Sequence, residues 1–202
     1  KAGTTVEDDD TLVVNLSNKY VSRAGLKLES VAAVLGVDFA GKVALDVGSS
    51  TGGFTDYALK NRAKKVFAVD VGTDQLHPEL RGDSRIELHE KTDIRDFSLD
   101  EQSKPEIIII DVSFISLRDI LPHIAKRLTG PHTKIIAMLK PQFEAGKGQT
   151  NKGIIKNDTI RRQILRDFEM WASRYFVVLG KRDSDVAGAK GNLERFYLLK
   201  KL

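Results

Sequence analysis

Short apolar runs alternate with amphipathic stretches along most of this chain. Continuous runs of Val, Ile and Leu are typical of strands buried in a parallel sheet, and apolar residues three and four apart are typical of helices that cover such a sheet. The pattern predicts seven strands, at residues 43–47, 66–71, 86–89, 107–112, 135–139, 175–179 and 196–199. It predicts helices at residues 22–35, 53–61, 117–128 and 159–173.

The alternation of strands and helices predicts an α/β fold with a mostly parallel sheet and helices on both faces. The last two strands have no helix-length pattern between them, so we expect an antiparallel pair, with an antiparallel strand at the edge of the sheet. Residues 142–156 are rich in Gly and Lys and lack periodicity, which predicts a mobile loop near the functional edge. Residues 1–15, with an acidic turn at 7–10 and a short strand at 12–14, do not join the alternation.

Length and composition limit the classes of protein that remain. A chain of 202 residues fits one domain, with room for a small appendage. Its net charge of +4 and pI near 9.2 are compatible with a polyanionic partner but do not require one. The absence of Cys excludes disulfides, thiolate zinc sites and a cysteine nucleophile, and it is common in proteins of the cytoplasm, where we expect this one. No apolar run approaches the ~18 residues of a membrane span.

A glycine-rich loop joins the first strand of the alternation to the next helix. Ligands of open α/β sheets bind at this position, beyond the carboxyl ends of the strands. The loop lacks the Gly-Lys-Ser/Thr ending of a P-loop, and its Gly-x-x-x-Gly-Gly spacing differs from the Gly-x-Gly-x-x-Gly of dinucleotide sites. A carboxylate at its head, Asp46, would repel a pyrophosphate but suits an ammonium group. These features favour S-adenosylmethionine, and the predicted contacts are Asp46, Gly48, Ser49, Ser50, Thr51, Gly52, Gly53 and Phe54.

Acidic residues follow the next strands as well. Asp70 ends the second strand, where a carboxylate can accept hydrogen bonds from ribose hydroxyls. Asp93, just past the third strand, is placed to accept a hydrogen bond from an adenine amino group. Each Asp alone could instead cap a helix or close a turn, but their recurrence at successive strand ends favours a ligand. We add Val71 and Asp111 to the predicted cofactor contacts.

Five segments resemble the hemolysin A (TlyA-type) family, in the FtsJ-like group of ribosomal RNA methyltransferases. They are residues 22–28, 46–54, 69–72, 110–117 and 139–144, and the resemblance extends over residues 20–202. It implies a Rossmann-like class I methyltransferase that uses S-adenosylmethionine to methylate ribose 2′-hydroxyls of ribosomal RNA, typically at cytidines. Its partners would be ribosomal RNA or ribosomal subunits. Asp93 departs from the Asn expected in TlyA-type sequences, although the wider FtsJ-like group has Asp there.

The resemblance also implies a domain division and a catalytic tetrad. Residues 1–16 would be a linker or the tail of an S4-like RNA-binding domain, and residues 17–202 the methyltransferase domain. The tetrad falls on Lys27, Asp111, Lys140 and Glu194. Lys140 is the candidate base for the ribose hydroxyl, oriented by Asp111, while Lys27 and Glu194 position the ribose. Burial and Lys27 would lower the pKa of Lys140, whereas Asp111 and Glu194 would raise it, so the sequence leaves the net direction open.

Basic residues suggest where RNA would lie, and rival functions remain open. Lys147, Lys152, Lys156, Arg23 and Arg81 could form a rim that contacts phosphates, or could be ordinary solvated residues. A small-molecule or protein methyltransferase on the same fold is one rival; the Asn/Asp-Pro-Pro-aromatic motif of many N-methyltransferases is replaced here by Asp-Val-Ser-Phe. A membrane-active hemolysin is a second, and a fragment that binds cofactor without turnover is a third.

Overall fold

The computed structural model describes residues 19–146, 148–188 and 190–202. Its centre is a seven-stranded sheet in the order β3-β2-β1-β4-β5-β7-β6. The strands β1 to β5 are parallel, and β7 runs antiparallel to both β5 and β6. Their bounds are β1 Val43–Val47, β2 Lys65–Val69, β3 Ile86–His89, β4 Ile107–Ile110, β5 Lys134–Leu139, β6 Phe176–Asp183 and β7 Arg195–Lys201.

Helices cover both faces of the sheet, as the sequence predicts. They are α1 Arg23–Ala32, α2 Gly53–Lys60, α3 Leu117–Arg127, the short α4 Pro141–Glu144 and α5 Asp158–Ala172. Side chains of β4 alternate between the two cores: Ile107 and Ile109 face α1 and α2, whereas Ile108 and Ile110 face α3 and α5. All four isoleucines are buried, which explains why the sequence of this strand is a continuous apolar run.

Several boundaries differ from the predicted ones for identifiable reasons. The strand β4 ends at Ile110 because its partner in β1, Val47, is the last residue before Gly48 turns away. The helix α1 ends at Ala32 because Gly36, at φ +65°, closes a turn in which Val37 donates to the Ala32 carbonyl. The antiparallel pair lies at the sheet edge as expected, but the strand that runs against the others is β7, second from the edge, and the outermost strand β6 has the direction of β5.

The glycine- and lysine-rich segment is more ordered than the sequence predicts. Residues 142–144 belong to α4, and Asn151 and Ile154 form an antiparallel bridge around a two-residue turn. The interpretation of 142–156 as one irregular loop was therefore wrong, because elements this short leave no periodicity in the sequence. The strand predicted at 12–14 and Lys147 lie outside the described residues.

Candidate active site

Two adjoining cavities lie at the carboxyl edge of the parallel strands, where the strand order reverses between β1 and β4. The larger cavity, of about 440 Å³, is bounded by the start of α1, the glycine-rich loop and the ends of β4 and β5. The smaller cavity, of about 370 Å³, lies over the ends of β2 and β4. Both are lined by Gly48, Ser50, Asp111 and Ser113, so a single elongated ligand can occupy both.

The glycines of the loop are needed for contacts within the protein. Gly48 has φ +80°, and a Cβ there would lie 2.5 Å from the backbone oxygen of Asp111. A Cβ on Gly53 would lie 2.2 Å from the Ser22 Oγ, so this glycine lets α2 begin against α1. Gly52, at φ +90°, packs on Leu76 and Leu80 and lines neither cavity. The other predicted loop contacts line the larger cavity: Asp46, Gly48, Ser49, Ser50, Thr51, Gly53 and Phe54.

Asp46 is a buried acid with one unsatisfied oxygen. Its side chain lies in the wall of the larger cavity, and the residue is only 1% exposed. Oδ2 accepts a hydrogen bond of 2.7 Å from the Thr55 hydroxyl, while Oδ1 has no donor among the described residues. Burial raises the pKa of Asp46 to about 7, against the opposing effect of the Thr55 hydrogen bond. A ligand ammonium group would satisfy this oxygen.

The smaller cavity combines two oriented carboxylates with apolar walls. The Asp70 carboxylate accepts hydrogen bonds from the backbone N–H of Ser50 (2.8 Å) and of Gly72 (2.7 Å), which fix its orientation. Arg95 donates to Asp93 through Nε (2.9 Å) and Nη2 (2.6 Å) and holds the pKa of that carboxyl at about 2. Both carboxylates retain acceptor capacity. The apolar walls suit a flat aromatic ring and include Val71, Ile94, Val112, Ile115 and Ile120.

The four tetrad residues form two close lysine–carboxylate pairs. The Lys27 ammonium donates a hydrogen bond of 2.6 Å to Glu194, and both residues are buried. The Lys140 Nζ lies 2.6 Å from Asp111 Oδ1 and forms an ion pair with it, although the angles do not suit a hydrogen bond. The same Nζ donates a hydrogen bond of 2.8 Å to the Ser113 Oγ. Lys27, Asp111 and Lys140 line the larger cavity, and Glu194 is linked to it through Lys27. The structure therefore brings all four together beside the glycine-rich loop.

A partly buried charge cluster fixes the segment that carries Glu194. Arg161 of α5 donates to Asp183 (2.7 Å) and to the Leu193 carbonyl (3.1 Å). Arg195 also donates to Asp183, at 2.6 Å. Burial alone would raise the pKa of Asp183, but the two arginines lower it below its usual range. Leu193 and Arg195, which flank Glu194 in the chain, are thus held in place. The sequence analysis did not predict this role, although Arg161 is a charged residue on the apolar face of α5.

A second support ties the end of β4 to the end of β5. The buried Glu144 carboxylate accepts hydrogen bonds from the Ser116 hydroxyl (2.7 Å) and the Leu117 N–H (2.6 Å). Just before Ser116 in the chain, Phe114 adopts φ +64°, is 91% exposed and packs on Phe143 with the ring centroids 5.1 Å apart. This support was not predicted, because its two halves are 27 or more residues apart in the chain.

The predicted basic rim is only partly assembled. Arg23 lines the larger cavity. Arg81 pairs with Asp74 at 2.9 Å, donates to the Leu76 carbonyl and lines neither cavity, so it does not belong to the rim. Lys152 and Lys156 are exposed on the segment that follows α4. Across the described ranges, no helix is long and apolar enough to cross a membrane.

Comparisons with known proteins agree with the resemblance seen in the sequence. The model of the FtsJ-like methyltransferase family matches residues 20–201. Hemolysin A of Brachyspira hyodysenteriae is 41% identical over 193 residues, which are 94% of this chain and 80% of that protein. The 23S rRNA (cytidine-2′-O)-methyltransferase TlyA of Campylobacter jejuni is 42% identical over 185 residues, 90% of this chain and 71% of that protein. A solved structure described as a hemolysin from Streptococcus thermophilus superposes with a TM-score of 0.85 at 42% identity, covering 91% of this chain and 67% of the other.

Proposed function

Because the chain belongs to the FtsJ-like methyltransferase family, we propose that it transfers the methyl group of S-adenosylmethionine to ribose 2′-hydroxyls of ribosomal RNA, at cytidines. One observation carries this proposal: two lysine–carboxylate pairs converge on a cavity that also holds Asp46 and the glycine-rich loop. A methyl donor and a poorly nucleophilic hydroxyl can meet there beside groups able to take up a proton. The substrate is RNA within ribosomal subunits, and the site of action is the cytoplasm.

The residues lining the cavities fit S-adenosylmethionine. Asp46 would hold the ammonium of its amino-acid end, since one buried carboxylate oxygen there lacks a donor. Asp70 would accept from the ribose hydroxyls, and Asp93, kept ionised by Arg95, from the adenine amino group. The cofactor supplies an electrophilic methyl group on a sulfonium.

Lys140 is the proposed base. As a free amine, Lys140 would accept the proton of the 2′-hydroxyl while the bound cofactor would supply the methyl group to that oxygen and keep the electron pair of its C–S bond on sulfur. Asp111, 2.6 Å from Nζ, stabilises the ammonium that results. Ser113, 2.8 Å away, fixes the direction of the amine. Lys27, which lines the cavity and is held by Glu194, positions the ribose, so that proximity contributes much of the rate.

The test is methyl transfer from labelled S-adenosylmethionine to ribosomal subunits, with Lys140→Ala compared with the wild type. We expect a loss of about 10²- to 10⁴-fold in transfer, the usual contribution of a general base. Cofactor affinity should stay unchanged in calorimetry, since Lys140 is not among the proposed cofactor contacts. Lys65→Ala, which removes a half-buried lysine paired with Glu87 at the amino end of β2, away from both cavities, is the matched control. Full transfer by Lys140→Ala would refute the role of the base.

The domain division also belongs to the proposal. Residues 1–16 are assigned to a linker or to the tail of an S4-like RNA-binding domain, and residues 17–202 to the methyltransferase domain. The support is the family match from residue 20 onward; residues 1–18 lie outside the described part of the chain.

A further inference from the structure

We propose that a basic arm beside the larger cavity binds backbone phosphates of the RNA strand that carries the target ribose. The basic arm consists of residues 151–156, Lys190 and Arg23. The inference rests on the proposed function, since it names how the same site would hold its RNA.

The tip of the arm is a well-defined hairpin turn. The Asn151 N–H donates to the Ile154 carbonyl at 3.0 Å, and the Ile154 N–H donates back at 2.9 Å. Between them, Lys152 (φ +51°) and Gly153 (φ +79°) both adopt left-handed backbone conformations, as two-residue hairpin turns require. The turn places Lys152 at the tip, exposed to solvent.

A buried amide holds the arm in place. Asn192 is 4% exposed, and its side chain spans the gap to the arm. Oδ1 accepts a hydrogen bond from the Ile155 N–H, and Nδ2 donates to the Gly153 carbonyl, both at 2.9 Å. Such a doubly satisfied buried amide fixes the two segments relative to each other. The arm therefore has a defined position with respect to the 190–194 segment.

That position is next to the catalytic residues. A Cβ on Gly188 would lie 2.7 Å from the Glu194 Oε1, so the turn that carries Lys190 packs directly on the tetrad carboxylate. The Lys190 Nζ lies 3.7 Å from where a Cβ of Gly153 would be, which places its charge beside the hairpin. Arg23, in the wall of the larger cavity, donates to the Ala187 carbonyl at 2.8 Å. The arm thus continues the Lys27–Glu194 side of the cavity outward to solvent.

The cations of the arm are available to a partner. Arg23, Lys152, Lys156 and Lys190 are exposed, and none of them takes part in an ion pair with another described residue. S-adenosylmethionine offers them no phosphate. A polynucleotide offers one per nucleotide, next to the ribose that must enter the cavity. Contacts of this kind orient the strand without reading its sequence.

The experiment compares Lys152→Ala/Lys190→Ala with the wild type in binding to ribosomal subunits between 50 and 200 mM salt. Each phosphate contact contributes about 0.7 to the slope of log K against log salt for single-stranded nucleic acid, so we expect a slope shallower by about 1.4. Cofactor affinity and thermal stability should be unchanged. Lys200→Ala/Lys201→Ala is the control, because it removes two exposed lysines from the opposite edge of the sheet.

An unchanged slope in the arm variant, or an equal change in the control, would overturn the proposal. The assay measures binding to ribosomal subunits and not turnover, so it tests the role of the arm even if the protein transfers no methyl group. Absence of transfer by the wild type would instead contradict the proposed function.

Discussion

Asp46 is the residue whose environment most constrains the cofactor. Burial raises the pKa of its carboxyl to about 7, and its Oδ1 accepts no hydrogen bond from the described residues. An ammonium group pairs with the carboxylate and not with the neutral acid. Affinity for S-adenosylmethionine should therefore be full above pH 7 and fall as the pH drops below it.

We expect the cofactor Kd to rise several-fold between pH 7 and pH 6, because protonation of the Asp46 carboxylate competes with binding of the ammonium group. The free energy of unfolding of the free protein changes with pH in the opposite direction. Because folding raises the pKa of Asp46, this free energy is greatest below the usual pKa range of Asp and declines as the pH rises toward 7. Calorimetry across this range provides the measurement, with Asp46→Asn as the control that binds weakly at every pH. An equal wild-type Kd at pH 6 and pH 8 would contradict the assignment.

Residue types explain which parts of the site could be predicted. A carboxylate at the head of a glycine loop is visible in the local sequence, so Asp46 could be predicted as a ligand contact once Asp70 and Asp93 were seen at the next strand ends. Lys27 and Glu194, 167 residues apart, were found only through resemblance to a family. Ser113 and Asn192 are ordinary polar residues in sequence, and only the fold shows that one touches Lys140 and the other holds the arm.

At the scale of elements, Glu144 links the start of α3 to the short helix α4. Glu144→Ala would leave the Leu117 N–H and the Ser116 hydroxyl without their acceptor in a buried position. We expect the free energy of unfolding to fall by about 1 to 3 kcal/mol, the usual cost of such orphaned groups. Denaturant unfolding measures the change, and Glu101→Ala, on an exposed turn, should leave stability nearly unaltered. Equal stability of Glu144→Ala and the wild type would show that this link contributes nothing.

Elements with strong periodicity were predicted well and those without it were not. The buried parallel strands and the amphipathic helices were located to within a few residues, because burial on both faces of a sheet leaves a plain apolar run. Strand ends were less accurate, since they depend on where a neighbouring strand stops, as β4 does at the partner of Val47. The helix α4 and the hairpin at 151–154 are too short to leave any pattern.

At the scale of the whole molecule, the fold gathers distant segments at one edge of one sheet. The two cavities lie where the order of the strands reverses, between β1 and β4. The ends of β4 and β5 and the segment preceding β7 bring Asp111, Lys140 and Glu194 toward Lys27. Methyltransferases of small molecules and proteins share this fold class, so the sheet alone does not select a substrate. The two lysine–carboxylate pairs and the basic arm are what favour a ribose within RNA.

The position of the transferred methyl group tests this account most directly. Ribosomal subunits are incubated with the protein and labelled S-adenosylmethionine, and their RNA is digested to nucleosides and resolved by chromatography and mass spectrometry. We expect the label in 2′-O-methylcytidine. Label on a base, or on ribosomal protein with none in the ribose, would contradict the assignment of Lys27, Asp111, Lys140 and Glu194 to a sugar hydroxyl.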